Sequence, residues 1–121
     1  MTGCSSGIGR NLAVALKQHG YRVYAAGRRW DSIKTLSELG VTPLLIDVAK
    51  TEVCERAVAY IVKAEVLLDV VINNAGIAAM GPIIDLEDEQ IADQLNINVH
   101  GVIRMARAAA KPMIEQGSGL I

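Results

Sequence analysis

Three glycines, Gly3, Gly7 and Gly9, fall within the seven positions that close the run Thr2-Gly3-Cys4-Ser5-Ser6-Gly7-Ile8-Gly9, directly ahead of an amphipathic stretch. From such a run a chain can build a phosphate cradle. Gly3 lets the backbone turn where a Cβ would clash, Gly7 lets a pyrophosphate approach the main chain, and Gly9 lets the following helix sit close to a sheet. The N–H groups of the helix start, with Ser5, Ser6 and Ile8 in the same turn, then face an anion. An ordinary tight loop before a helix would use similar residues, so the turn needs support from elsewhere in the chain.

In open parallel sheets, ligands bind beyond the carboxyl ends of the strands, which directs attention to the strand exits. An acidic residue about 20 positions beyond the glycines would bind the ribose hydroxyls of NAD. This chain has Gly27-Arg28-Arg29 there. A carboxylate would repel a 2′-phosphate, whereas a guanidinium pairs with it in a fork. Arg28 therefore favours NADP over NAD; the alternative is two solvated arginines in a surface loop. Asp47, ahead of Val48, could accept a hydrogen bond from an adenine amino group or act as a turn or cap residue. Asn73-Asn74-Ala75-Gly76 places two short amides at the end of an apolar run, or forms an Asx-type turn. All these exits and the glycine turn are expected on one edge of a sheet.

Asn98 interrupts an apolar stripe formed by Ile91, Leu95, Val102, Met105, Ala109 and Met113. A buried amide without partners costs about 1–3 kcal/mol, so Asn98 is expected to be satisfied by backbone, water or a ligand network. A helix-bending Asn bonded to nearby backbone would fit the stripe as well. Other polar candidates read as structural. Cys4 suits a small apolar filler, His19 and His100 have no paired carboxylate or serine, and Ser118 belongs to a turn. Tyr60 and Lys63 lie three apart on a helix remote from the strand exits, so they are not assigned to catalysis.

The elements that must position these residues alternate along the chain. A helix is expected over about 7–18, with Ile8, Leu12, Ala15 and Leu16 on its apolar face and Gly20 as its stop. Strands follow at 21–26 and 41–46, separated by a short helix with Trp30, Ile33, Leu36 and Leu39 on one face. Thr51 is expected to cap a helix to about Ala64 that buries Cys54, Val58 and Ile61. The run 66–72 reads as a deeply buried third strand. Asp85 is expected to cap a long helix over about 87–115, which Gly117-Ser118-Gly119 ends before Leu120-Ile121 begin a further strand. Strict alternation predicts an α/β fold with a doubly wound parallel sheet, in a single domain.

Composition agrees. The 121 residues are 51% hydrophobic but only 3% aromatic, with no Phe. That makes a core of Val, Ile, Leu and Ala, suited to parallel strands covered on both faces. The net charge of −1 and the lack of a basic cluster beyond Arg28-Arg29 argue against nucleic acid as a partner. No apolar run approaches the roughly 18 residues of a transmembrane segment, and no signal peptide is visible. Cys4 and Cys54 match no metal-ligand spacing, and a reducing, cytoplasmic setting is expected.

Taken together, Thr2-Gly3-Cys4-Ser5-Ser6-Gly7-Ile8-Gly9, Asp47-Val48, Asn73-Asn74-Ala75-Gly76 and Asn98-Val99-His100-Gly101 resemble the motifs of the short-chain dehydrogenase/reductase family, in order and separation. Cys4-Ser5-Ser6 and the run Tyr24-Ala25-Ala26-Gly27-Arg28-Arg29 look most like the branch that acts on hydrophobic ketones and alcohols, including hydroxysteroid and retinol dehydrogenases and acyl-dihydroxyacetone-phosphate reductases. The resemblance implies a Rossmann-type fold and hydride transfer between a nicotinamide and a carbonyl or secondary alcohol. It also implies a homo-oligomer. In the family an Asn, a Ser, a Tyr and a Lys act together, and only the Asn maps here, onto Asn98. The Ser and the Tyr-x-x-x-Lys motif would lie beyond Ile121, and a central strand would precede Thr2. The chain therefore reads as the first half of such an enzyme, inactive alone. A nucleotide-binding protein without catalysis and a nonfunctional gene remnant are the alternatives.

Overall fold

Residues 1–121 are all described by the computed structural model. Helix α1 (Gly7–Gln18) starts at the glycine turn, with Ser6 as N-cap in extended conformation. Strand β1 (Tyr24–Gly27) follows. Next come a single turn, α2 (Trp30–Ile33), and a 3-10 stretch (Lys34–Leu39) that Gly40 ends at φ +73°. Strand β2 (Thr42–Leu45) leads into α3 (Thr51–Glu65). Beyond a long extended segment lie a 3-10 turn (Ile83–Asp85) and α4 (Asp88–Leu95). A π-helical turn (Asn96–His100) runs directly into α5 (Gly101–Gln116).

Strands β1 and β2 pair in parallel, with Tyr24 opposite Thr42 and Gly27 opposite Leu45. On the other side of β1 lie residues 1–4. The Met1 amine donates to the Tyr24 carbonyl (2.6 Å), Ala26 N–H to the Met1 carbonyl (2.8 Å), and Cys4 N–H to the Ala26 carbonyl (2.8 Å). The same short segment reaches the next one, Thr2 N–H donating to the Ile72 carbonyl at 2.9 Å. Val70 in turn forms a parallel bridge with Leu120. Five extended segments thus lie side by side in the order β2, β1, 1–4, 69–73, Leu120.

The backbone alternation of β1 divides the core in two. Ala25 faces a cluster of Cys4, Ala13, Val23, Ile33, Leu36 and Val41. Ala26 faces a larger cluster, in which Ile46, Cys54, Val58, Ile97, Met105 and Met113 bring in α3 and α5. Helices cover both faces, as parallel strands require.

Several expectations need correction. The run 66–72 forms no regular strand: Val66, Leu67 and Val70 are exposed, and only Leu68 and Val71 are buried. Its pairing is confined to Thr2 on one side and Leu120 on the other. Between it and β1, below Met1, is an apolar slot of about 620 Å³ lined by Tyr24, Ile61, Leu67 and Val70 among others. The amides of Val70 and Ile72 have no hydrogen-bond partner in the chain. Helix α1 buries Gly9 and Ala13, while Ile8 and Leu12 are exposed. Trp30 and Leu39 are exposed as well, leaving Ile33 and Leu36 to anchor their segment. Thr51 is the first residue of α3 and Lys50 its N-cap. Glu87, not Asp85, caps α4, through a capping box in which its carboxylate accepts from the N3 backbone and Gln90 Oε1 accepts from Glu87 N–H at 2.9 Å.

Candidate functional site

The glycine turn is held by the neighbouring segment. Thr2 is buried, and its Oγ1 accepts hydrogen bonds from the Asn74 and Ala75 amides at 3.1 and 3.0 Å. Asn74 Nδ2 donates back to the Thr2 and Gly3 carbonyls, both at 3.1 Å. Gly3 sits at φ +71°, and a Cβ there would come within 2.7 Å of Ala75 Cα. A Cβ on Gly9 would meet the Gly3 carbonyl oxygen at 2.3 Å, so α1 rests directly on the turn. Gly7, at φ +55°, has open space where a Cβ would point. No acidic side chain occupies the first turn of α1, and Ser6 makes no side-chain cap bond. The first-turn N–H groups therefore carry no acidic side chain and no Ser6 hydroxyl on them.

A cleft of about 550 Å³ opens in front of this turn. Its walls come from every strand exit at once: Gly3, Ser5 and Ser6 from the turn, Gly27, Arg28 and Arg29 after β1, Ile46 and Val48 after β2, and Ala75, Gly76 and Ile77 after the 69–73 segment. Gly27 is placed where a side chain would strike Ser5 Oγ at 2.8 Å and Ile33 Cγ2 at 2.7 Å. Arg28 and Arg29 are exposed at the rim. The chain's ion pairs, Arg22–Glu65 and Lys34–Asp31, involve neither of them.

Not every candidate residue lines the cleft. Asp47 is outside the lining, and its Oδ1 accepts from Ala49 N–H at 3.1 Å, a bond within the turn. Asn74 is committed to the turn. Gly7, Ile8 and Gly9 of α1 are outside the lining, Ile8 exposed and Gly9 buried. Asn98 is not buried, contrary to the stripe argument. Its amide is satisfied all the same: Oδ1 accepts from Ile77 N–H at 2.9 Å, and Nδ2 donates to the Ile77 carbonyl at 2.8 Å. The π-turn adds a residue to the helical repeat, which turns Ile97 inward, 8% exposed, and Asn98 toward the loop after Gly76.

Thr2 was not singled out by sequence reasoning, although its position next to the first glycine marks a side chain facing the adjacent segment. Ile97 was missed because it lies off the expected stripe. Both cysteines are buried, Cys4 at 0% exposure, and burial raises each thiol above its ordinary value, which disfavours the thiolate.

The residues of the cleft fit a dinucleotide. Glycines at Gly3 and Gly27 let the turn and the β1 exit pack closely around it, the helix start beside it carries no acidic side chain, and its rim carries unpaired guanidinium groups. Known proteins resemble this chain in sequence and fold. A family model described as short chain dehydrogenase matches residues 1–121. The chain is 32% identical over 122 residues to the uncharacterized oxidoreductase YbbO of Escherichia coli (strain K12), covering 100% of this chain and 45% of the relative. It is 33% identical over 119 residues to carbonyl reductase (NADPH) 2 of Sus scrofa, covering 97% and 47%. The crystal structure of an alcohol dehydrogenase from Thermococcus sibiricus, complexed with 5-hydroxy-NADP, matches with a TM-score of 0.88 and 28% identity, over 99% of this chain and 54% of that one. The chain spans about half the length of these proteins. With the family match running from Met1 to Ile121 and the fold shared throughout, this chain belongs to the short-chain dehydrogenase/reductase family of NAD(P)-binding oxidoreductases.

Proposed function

We propose that the cleft binds NADP(H), and that the chain is the cofactor-binding part of an oxidoreductase acting on the carbonyl or secondary alcohol of a hydrophobic small molecule. The observation that carries the cofactor choice is Arg28, exposed and without an ion pair, at the exit of β1 where a carboxylate would select NAD. The carbonyl reductase of Sus scrofa is named for NADPH, and the Thermococcus sibiricus enzyme was solved with an NADP derivative, which supports the same choice. Met80, Ile83 and Ile84 are exposed apolar side chains on the loop leaving Gly76, consistent with a hydrophobic substrate.

Bound NADP(H) supplies or accepts the hydride. The residues of this chain bind and orient it. The α1 start and Ser5, Ser6 and Gly7 take the pyrophosphate, Arg28 takes the 2′-phosphate, and Val48, Ala75 and Gly76 form the walls. Asn98 holds the Ile77 backbone beside the cleft. In this reading residues 1–121 are a partial dinucleotide-binding domain of a longer intracellular, homo-oligomeric enzyme.

A second reading, binding without turnover, has its own support. The arginines are the only titratable side chains lining the cleft, which offers no carboxylate, imidazole, thiol or phenol beside a bound cofactor. Neither Tyr21, Tyr24 nor Tyr60 is followed by Lys at the fourth position. The 121-residue chain alone is therefore expected to bind NADPH without reducing a carbonyl. Calorimetry tests the reading. Arg28→Asp should weaken NADPH by about tenfold or more, the worth of a charge-assisted pair, and leave NADH nearly unchanged. Equal loss for both cofactors refutes the phosphate role.

A further inference from the structure

Arg104 joins two parts of the cleft wall that come from distant segments. Its Nη1 donates to the Val48 carbonyl at 3.3 Å and to the Asn96 carbonyl at 3.1 Å, and its Nη2 donates to Asn96 Oδ1 at 2.9 Å. Asn96 opens the π-turn, whose closing bond runs from Gly101 N–H to the same Asn96 carbonyl. Gly101 is pressed on Val48 as well: a Cβ there would lie 2.8 Å from Val48 Cγ2. Two residues after Asn96, Asn98 grips Ile77 through both its N–H and its carbonyl. Val48, Ile77 and Ile97 all line the cleft.

A π-turn is a wider, less favourable repeat than the α-helix on either side, and it persists where contacts hold it. A planar guanidinium suits this role, because its fixed donors meet the carbonyl and the side-chain oxygen of one residue together. Without Arg104, the extra residue could be absorbed into regular helix. The face carrying Asn98 would then rotate by roughly the 100° that one residue occupies, and the Ile77 grip would be lost.

We propose that Arg104 is a positioning residue: it holds the π-turn and thereby places the Asn98–Ile77 contact and the Val48 wall for the dinucleotide. Its effect on cofactor rests on the function proposed above, while its effect on Ile77 does not.

The test measures amide hydrogen exchange by NMR on the unliganded 121-residue chain, together with NADPH affinity by calorimetry. Arg104→Met keeps most of the stem and removes every donor. Protection at the Ile77 amide should fall about tenfold, as should NADPH affinity, the equivalent of about one hydrogen bond. Protection at Ile46, whose amide donates to the Gly27 carbonyl, should not change. Arg104→Lys, which keeps the charge without the fork, should lose less, and Asn98→Ala should reproduce the Ile77 loss. Unchanged Ile77 protection in Arg104→Met overturns the proposal. So does an equal fall at Ile46 and Ile77, which would make Arg104 a general stabiliser. If the unsubstituted chain fails to bind NADPH, the proposed function falls, and the Ile77 readout still decides the role of Arg104.

Discussion

In an open helix, Gly→Ala stabilises by about 1 kcal/mol, because alanine loses less backbone freedom on folding. At Gly9 the opposite outcome is expected. A Cβ there would lie 2.3 Å from the Gly3 carbonyl oxygen and 2.4 Å from Asn74 Nδ2. Neither atom belongs to a flexible side-chain end. Gly3 is fixed at φ +71° against Ala75, and Asn74 is fixed by its bonds to the Thr2 and Gly3 carbonyls. Reaching ordinary contact requires α1 to withdraw by about 1 Å. Overpacking of this kind costs about 1–3 kcal/mol, and each Asn74 bond that breaks adds about 0.5–1.5 kcal/mol. Set against the helical gain, Gly9→Ala should destabilise the chain by about 2 kcal/mol. With a urea slope of about 1–3 kcal/mol/M, the midpoint of a far-UV circular dichroism transition should fall by about 1 M. A midpoint that stays put or rises, as in an open helix, would refute the claim that α1 rests on the turn.

Thr2→Val removes the acceptor shared by the Asn74 and Ala75 amides and should destabilise by about 1–3 kcal/mol in the same assay, since shape is kept and two donors lose their partner. Tyr24 donates to Glu65 at 2.7 Å, and that carboxylate, with burial, pushes the Tyr24 hydroxyl up to about 12. The neutral phenol is thus favoured in the folded chain. The resulting stability is present below the ordinary tyrosine range near pH 10 and lost as pH rises toward about 12. Tyr24→Phe should remove the latest step of the absorbance titration at about 295 nm and flatten the alkaline fall in stability. Fusing about five Val and Ile residues ahead of Met1 should fill the slot beside β1, give the Val70 and Ile72 amides partners, and raise the unfolding midpoint. Asp or Lys at the same positions should not.

The elements were legible where local chemistry alone decides them. The α1 bounds follow from the glycine turn at one end and Gly20 at the other, and β1 and β2 from short apolar runs closed by Gly27 and Asp47. Faces were less legible, because hydrophobic periodicity ranks residues by size. Helix α1 lies so close to the turn that only Gly9 and Ala13 fit beneath it, so the large side chains Ile8 and Leu12 stay outside. The stripe through Asn98 assumed a constant 3.6-residue repeat, which the π-turn breaks. Nothing local to residues 96–100 signals that turn, since the arginine holding it lies beyond them and reaches Val48 as well. The run 66–72 looked like a buried strand because it is apolar, but regular pairing depends on neighbours, and here it has Thr2 and Leu120 alone. The candidate site fared similarly. Glycines and strand exits pointed to the cleft, whereas the division of labour was hidden: Asn74 and Asn98 brace backbone, and Arg28 and Arg29 remain free at the rim.

In the function proposed above, the strand exits of this chain form one NADP(H) site. Its most direct measurement is amide chemical-shift mapping of the uniformly 15N-labelled chain during titration with NADPH. Saturable shifts are expected at Ser5, Ser6, Gly7, Arg28, Val48, Ala75 and Gly76, with the Arg28 shift much smaller for NADH. No saturable shift, or shifts clustered at Tyr24, Leu67 and Val70 around the apolar slot, would contradict it.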